Sequence, residues 1–300
     1  HFSILRHVNM DFFILNILNA MQLSMLIFIL AIGLTLIFGL MDTLNLAHGG
    51  FYTIGAYAGS QLAINGSFWL AFLVSPLVAG IAGAILQRFA LQPLASKGRT
   101  THLDFALFTF GLLFVIMGGA EIIFGSAYLS IDAPAILKGG FAISGVTFPY
   151  YRVFVIFLGL TCGGVLWLLI DRTVLGAVVR AGVADRETVC TLGIDINRVF
   201  VVVFALGCAF AGLAGVVSAP IFGIYSHMGA SILVVTLIVV VVGGLGSFKG
   251  SFWASIIVGT FETMAQAYAP DVQLYGLYIL LALILAVKPE GLFAIQRRIA

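Results

Sequence analysis

Polar side chains that could take part in chemistry interrupt an apolar stretch in the first sixth of this chain. Asn45 and His48 stand in otherwise apolar sequence, and Gly49 and Gly50 follow directly. Polar side chains beside flexible glycines predict a broken membrane helix whose freed backbone groups line a protected cavity. A short cytoplasmic turn between two ordinary helices would give the same pattern, and both interpretations stay open at this point.

A second glycine cluster contains Gly243, Gly244 and Gly246 and ends a long apolar stretch. It could form another helix break that faces the first one across a pathway. The alternative is a tight cytoplasmic turn whose small residues let two helices approach closely. Residues 33–51 and 244–252 both contain glycines followed by an aromatic residue, which would fit an internal repeat.

Two carboxylates, Glu121 and Glu262, lie inside apolar segments. A carboxylate within a bilayer is costly unless it is protonated, paired or beside water. Proton coupling is one interpretation of these residues. We favour the other, a hydrogen bond to a neighbouring helix or a position near the outer interface, because both residues come late in segments predicted to run outward.

Motifs of enzymes are missing from the sequence. None of the four lysines follows a glycine in the way that a phosphate-binding loop requires, so the chain cannot hydrolyse ATP by that route. The three cysteines show no metal-site spacing, and no metalloprotease or serine-hydrolase motif occurs. We therefore predict a protein that is not an enzyme, with no catalytic residues and no metal ligands. The net charge of +2 is too balanced to indicate a nucleic-acid partner.

The composition predicts the elements that must position these residues. Of the 300 residues, 62% are hydrophobic and 9% are charged, and no charged residue lies between Arg198 and Lys249. A membrane-spanning helix needs about 20 apolar residues, so this interval is long enough for two spans. We predict an all-α polytopic membrane protein with one domain over residues 1–300 and about eight or nine transmembrane segments. The segments are 13–38, 45–63, 68–87, 104–125, 152–170, 199–219, 229–247, 251–269 and 272–287.

The positions of Lys and Arg predict the orientation of the chain. These residues concentrate in 88–102, in 171–198 and in the carboxy-terminal tail, and basic loops stay on the cytoplasmic side. The segments 126–151 and 220–228 then lie outside the membrane, on the periplasmic side, and alternation places the amino terminus outside as well.

The inner segment 171–198 carries eight charges and is too short for an enzyme domain. It is long enough for one or two short helices, with Asp185 as a helix cap and Gly193 as a helix end. Apolar residues such as Leu192 and Ile194 among the charges favour a surface that docks a partner over a solvated loop whose charges only fix the topology.

Three parts of the chain resemble the permease subunits of ABC importers for branched-chain amino acids. Residues 33–57 are similar to the family signature around Asn-Leu-Ala-His-Gly, and residues 180–198 are similar to its cytoplasmic loop that meets the ATPase. Residues 243–250 and 288–293 resemble its carboxy-terminal part. The likeness around Asn45 is closest to the first of the two permease types in such importers.

The resemblance implies a multi-pass transport subunit of the bacterial inner membrane. Its partners would be a second permease, identical or of the second type, two cytoplasmic ATPases that bind ATP and Mg²⁺, and a periplasmic substrate-binding protein. This chain would hold no cofactor. The expected substrates are branched-chain or other hydrophobic amino acids, whereas related permeases carry urea, short amides or aromatic acids. The chain departs from the family pattern at Gly50, Val189 and Lys249, which bears on the substrate.

The resemblance also suggests which residues carry the function. The residues expected to couple to the ATPases are Arg180, Asp185, Leu192, Gly193 and Ile194. The residues expected along the translocation pathway are Asn45, His48, Gly49, Gly243, Gly244 and Gly246. The rival interpretation is a stand-alone secondary transporter that uses Glu121 or Glu262 with protons.

Overall fold

The computed structural model describes residues 2–41, 43–64, 66–96, 101–143, 146–184 and 186–293. It describes their side chains except those of 2–11, 40, 96, 143, 146, 183–184, 186–188 and 274. The α-helices are α1 Phe2–Met41, α2 His48–Ile64, α3 Phe68–Leu86, α4 Gln92–Ser96, α5 His102–Phe124, α6 Tyr150–Arg172, α7 Val174–Ala184, α8 Arg186–Thr191, α9 Ile196–Phe222, α10 Met228–Gly243, α11 Phe248–Tyr268 and α12 Pro270–Val287. A π-helical turn, Gln87–Leu91, joins α3 to α4.

The prediction of an all-α polytopic membrane protein is confirmed. Each of the nine predicted apolar segments corresponds to its own helix, α1, α2, α3, α5, α6, α9, α10, α11 or α12, although 45–47 precede α2 and 244–247 follow α10. Five helical stretches in the described part of the chain are long and apolar enough to cross a membrane, and α10 and the end of α12 are shorter apolar helices. The five stretches are Phe12–Gly39, Phe68–Ala95, His102–Phe124, Tyr150–Arg172 and Ile196–Phe222.

Burial separates central helices from peripheral ones. The apolar stretch of α1 is 83% buried and that of α9 is 61% buried, whereas that of α5 is only 17% buried. Side chains of α5 such as Ile122 and Val115 are therefore exposed, although they are large and apolar. An exposed apolar face is what a lipid-facing helix requires, so α1 and α9 form the centre of the bundle and α5 lies at its edge.

The helices packed against α1 run in both directions, as expected for a chain that crosses a bilayer repeatedly. Along α11, Ser251 meets Thr35 and Gly259 meets Ser24, so α11 runs antiparallel to α1. Along α6, Gly159 meets Met25 and Gly163 meets Phe28, so α6 runs parallel to α1. We call the end of the bundle that carries 126–149 the outer end and the end that carries 173–195 the inner end, following the charge pattern.

Reciprocal contacts relate α1–α2 to α9–α10. A side chain at Gly33 would lie 2.5 Å from the carbonyl oxygen of Gly207, and one at Gly207 would lie 2.7 Å from that of Gly33. Gly49 and Gly229 meet in the same reciprocal way. Helix α3 packs on α9 as α11 packs on α1. This arrangement is an inverted internal repeat, a feature of many transporter folds, and it pairs residues 33–51 with residues near 207–231.

The outer segment is tied to the loop that follows α9. Leu129 and Ile224 exchange two backbone hydrogen bonds, of 2.9 and 2.8 Å, and the Tyr128 ring stacks on Tyr225 with ring centres 5.3 Å apart. The strands β1 (Gly140–Ile143) and β2 (Val146–Pro149) form an antiparallel hairpin in the same segment, with Phe141 opposite Phe148. These contacts join the outer segment to the loop before α10, and β2 also packs against α1 and α6.

Candidate functional site

Residues 43–47 turn back into the bundle after α1 and do not form a surface turn. Asn45 and Ala47 are buried, and α2 begins beside Leu30, nine residues before Gly39 near the inner end of α1. At 1.5 Å per helical residue this start lies about 13 Å inside the bundle. The extended segment can reach that depth because each of its residues covers about 3.3 Å. The sequence allowed either a broken helix or a short turn between two ordinary helices, and the structure shows the broken helix.

Side chains satisfy the backbone of this re-entrant segment, as buried backbone requires. The Thr109 hydroxyl of α5 accepts a hydrogen bond of 3.1 Å from the Leu46 N–H, and the Asn45 side chain accepts one of 3.1 Å from the Ala47 N–H. The Thr109 hydroxyl also lies 2.8 Å from its own helix carbonyl at Phe105. Helix α5 therefore holds the segment through one threonine, a role that the sequence did not reveal.

His48, the first residue of α2, is fully buried against α1. Its Nε2 atom lies 3.0 Å from the Leu30 carbonyl oxygen, so Nε2 carries the proton and donates it to that acceptor. The other ring nitrogen, Nδ1, is buried without a hydrogen-bond partner among the described residues, and so is Asn45 Nδ2. Leaving a buried polar atom without a hydrogen bond costs free energy.

A second re-entrant segment, 223–227, precedes α10 and comes from the outer end. Gly223 has a φ of +70°, a left-handed conformation that favours glycine, and it ends α9. Helix α10 then begins at Met228 and meets the start of α2 where Gly229 contacts Gly49. The first turns of two shorter helices, of 17 and 16 residues, thus touch inside the bundle, and discontinuous helices also meet near the repeat interface in transporter folds.

The glycine cluster at 243–246 forms a tight turn at the inner end, so here the second of the two interpretations is the observed one. Gly244 and Gly246 have φ values of +93° and +80°, and Ser247 caps α11 by accepting a hydrogen bond of 3.1 Å from the Gly250 N–H. Gly246 also approaches Gly39 of α1, with 3.5 Å between an added Gly39 side chain and the Gly246 Cα. The turn therefore packs against the end of the first glycine motif.

A cavity of about 320 Å³ opens at the outer end between α1, α2, α10, α11 and α12. We call it the outer cavity. Its apolar wall contains Leu23, Ile27, Met228, Ile232 and Val235. Its polar residues are Tyr52, Tyr128, Tyr225, Ser231, Glu262, Gln266 and Gln273. A small cavity with an apolar wall and a few polar groups is the form that ligand sites usually take.

Glu262 and Glu121 have different surroundings. Glu262 lines the outer cavity, 13 residues or about 20 Å along α11 from Lys249. Its Oε2 atom is buried without a hydrogen-bond partner among the described residues. Glu121 is half-exposed at the outer end of α5, where its Oε2 lies 3.7 Å from His227 Nε2. Both carboxylates therefore lie towards the outer end, which is one of the two expected positions, and Glu262 Oε2 forms no hydrogen bond with the described residues.

A second cavity, of about 670 Å³, lies at the inner end and is lined by α1, the π-helical turn, α4, α5 and the start of α9. Gln87, the first residue of the π-helical turn, faces it from a buried position, with an Oε1 atom that has no described partner. π-Helical turns often occur at functional sites. This turn could not be predicted from the sequence, since apolar periodicity does not distinguish a π-helical turn from an α-helix.

The inner segment contains two short helices, α7 and α8, as the sequence predicted. Arg180 donates a hydrogen bond to the Ile170 carbonyl and lies 3.9 Å from the Asp171 carboxylate, so it ties α7 to the end of α6. Leu192 is 72% exposed, and Gly193 has a φ of +81°, which ends α8. Asp185 lies outside the described residues. Ile194 packs against the core where the chain enters α9.

The predicted pathway residues fall into two groups. Asn45, His48 and Gly49 lie together at the start of α2, whereas Gly243, Gly244 and Gly246 lie in the inner turn. None of the six lines the outer cavity, which is built from residues that the sequence did not single out except Glu262. Within the described part of the chain, no group of three His, Cys, Asp or Glu residues could hold a metal ion.

Several known transport permeases are similar to this chain over most of its length. The chain is 26% identical to the high-affinity branched-chain amino acid transport system permease protein LivH of Escherichia coli K12, over 94% of this chain and 95% of that protein. It is 27% identical to the corresponding protein BraD of Pseudomonas aeruginosa, over 92% and 94%. It is 28% identical to the permease protein LivM of Escherichia coli K12, over 92% of this chain and 69% of that protein.

No solved structure matches the chain. The family described as the permease component of the branched-chain amino acid transport system matches residues 16–288, which is nearly the whole sequence. The family match agrees with the multi-pass helical bundle and with the cavities at its two ends. The chain therefore belongs to the family of branched-chain amino acid transport system permease components.

Proposed function

We propose that this chain is one of the two permease subunits of an ATP-driven importer that carries branched-chain or other hydrophobic amino acids across the bacterial inner membrane. The observation that supports the proposal best is the pair of cavities at opposite ends of one inverted-repeat bundle. A transporter of this kind needs two arrangements of packed helices that expose the same path to one side at a time.

The start of α2 is where the two arrangements would differ. His48 Nδ1 and Asn45 Nδ2 have no described partner in the packed arrangement, and both would gain hydrogen bonds if this region opened to water. At Gly49 and Gly229 the two helices meet backbone to backbone, beside the side chains of Thr53 and Leu233. We infer that α2 and α10 separate here during transport, with Gly243, Gly244 and Gly246 as the inner turn that follows α10.

Force would enter through α7 and α8. Arg180 connects α7 to the last turn of α6, and Gly182 packs against Ile196 in the first turn of α9. A push on the exposed Leu192 would therefore reach both α6 and the central helix α9. ATP and Mg²⁺ would bind to two separate ATPase subunits, and a periplasmic binding protein would deliver the substrate to the outer end.

Reconstitution of the chain in vesicles with a second permease, two ATPases and the binding protein tests the proposal. We expect L-leucine to accumulate only when ATP is present with the ATPases. Affinities of the binding protein for leucine, urea, short amides and aromatic acids would then define the substrate class. Tight binding of urea or amides alone would contradict the amino-acid assignment.

A second candidate function is stand-alone, proton-coupled transport. The observation in its favour is the half-buried Glu262 side chain, whose Oε2 atom has no hydrogen-bond partner among the described residues. Vesicles that contain only this chain and an imposed pH gradient distinguish the two candidates. Uptake under these conditions would support the secondary transporter, whereas we expect none.

A further inference from the structure

Glu262 is the one acidic residue among the described residues that line the outer cavity, and nothing described there balances its charge. No described Lys, Arg or His forms an ion pair with it. A carboxylate withdrawn from water without a partner carries a large desolvation cost. A group that supplies a positive charge inside the cavity would remove that cost.

The fold itself does not require a carboxylate at this position. Helices α3 and α11 both begin after a serine cap, Ser67 and Ser247, and Glu262 stands fifteen residues after its cap. The residue at the same distance after Ser67 in the repeat-related helix is Ala82, which packs among apolar neighbours. A helix of this length and place in the bundle therefore forms with a methyl group at the equivalent position.

The remaining walls of the outer cavity suit the rest of an amino acid. Leu23, Ile27 and Val235 offer an apolar surface for a branched side chain. The amide groups of Gln266 and Gln273 can donate hydrogen bonds to a carboxylate. Tyr52 and Tyr128 add aromatic surface, since their hydroxyls already donate to Ser218 and to the Phe222 carbonyl.

We propose that Glu262 binds the α-ammonium group of the transported amino acid in the outer cavity, with the apolar wall around its side chain. This inference rests on the proposed function and makes it more specific, because it requires a substrate with a cationic amine. Urea, amides and aromatic acids without an ammonium group lack the charge that the site needs. The carboxylate thus serves as a specificity-determining group at the outer end of the pathway.

The test compares two ligands that differ only in the ammonium group. The importer, assembled with its partner subunits in lipid nanodiscs and without the binding protein, is titrated with L-leucine and with 4-methylpentanoate. We expect leucine to bind at least about tenfold more tightly, which corresponds to about 1.4 kcal/mol. In Glu262→Gln the two affinities should agree within about twofold. The control Glu121→Gln, a carboxylate outside the cavity, should keep the preference.

Equal affinity of the unaltered importer for the two ligands would overturn the inference without any variant. A full preference for leucine in a folded Glu262→Gln would overturn it as well. Should that variant fail to fold, Glu262→Asp keeps the charge and should keep part of the preference. ATP-driven leucine uptake by the same complexes separates the two proposals. Uptake without an ammonium preference removes only the Glu262 site, whereas loss of all uptake in the unaltered importer removes the proposed function.

Discussion

The contact between the starts of α2 and α10 gives the sharpest prediction. An alanine at Gly49 would place its Cβ in overlap with the carbonyl oxygen of Gly229, 2.9 Å from that carbonyl carbon and 3.1 Å from Leu233 Cβ. The first two atoms belong to the backbone, which cannot rotate out of the way as a side chain does. Gly49→Ala therefore requires α2 and α10 to move apart by about an ångström, because packed interiors leave no free space.

The expected cost follows from two opposing effects. Overpacking a core costs about 1–3 kcal/mol, and replacing glycine by alanine in a helix returns at most about 1 kcal/mol. The net loss in the free energy of unfolding is about 1–2 kcal/mol. For a chain of this size, about 2 °C in melting temperature corresponds to each kcal/mol, so Tm should fall by about 2–4 °C.

Thermal unfolding of the detergent-purified chain measures this effect. The matched control is Gly118→Ala in α5, where an added Cβ meets no atom within 4 Å. We expect the control to keep its melting temperature or to gain up to about 2 °C. If Gly49→Ala melts at or above the temperature of the unaltered chain, the two helices do not meet at this glycine, and the separation proposed for transport loses its basis.

Three further predictions test other parts of the structure. Thr109→Val leaves the Leu46 N–H without its acceptor and should cost about 1–3 kcal/mol in thermal unfolding, whereas Thr109→Ser should restore stability. Ser247→Ala removes the cap of α11, which should cost about 1 kcal/mol and speed amide exchange in the first turn of that helix. Leu192→Asp should leave Tm unchanged and weaken co-purification with the ATPases at least fivefold; Ile136→Asp, equally exposed and apolar but at the outer end, should not.

Hydropathy predicted the helices well because a bilayer demands about 20 apolar residues in each span, and that requirement is visible locally. The helix end in the inner segment could also be predicted, since Gly193 follows α8 at the position where a left-handed residue ends a helix. The residues that pair with 33–51 in the internal repeat could not be predicted from the sequence. Residues 244–252 resemble 33–51 by composition, but the reciprocal contacts of Gly33 with Gly207 relate α1 to α9 instead.

The re-entrant segments and the outer cavity could not be predicted from the sequence, for a physical reason. A five-residue extended segment has the same sequence pattern whether it forms a surface turn or enters the helix bundle. The burial of Asn45 in the structure distinguishes the two cases. The outer cavity is lined by residues of several helices, among them Leu23, Tyr52, Ser231 and Glu262. The spacing of these residues along the chain does not predict that they lie close together in space. The functional role of the residues at the start of α2 stays a prediction.

The central claim is that this chain provides a membrane path whose motion is driven by other subunits. The most direct measurement is leucine accumulation in vesicles that contain this chain alone, compared with vesicles that also contain the second permease, the ATPases and the binding protein. The account predicts accumulation only in the second set, and only with ATP. Accumulation by the chain alone, without nucleotide, would contradict it.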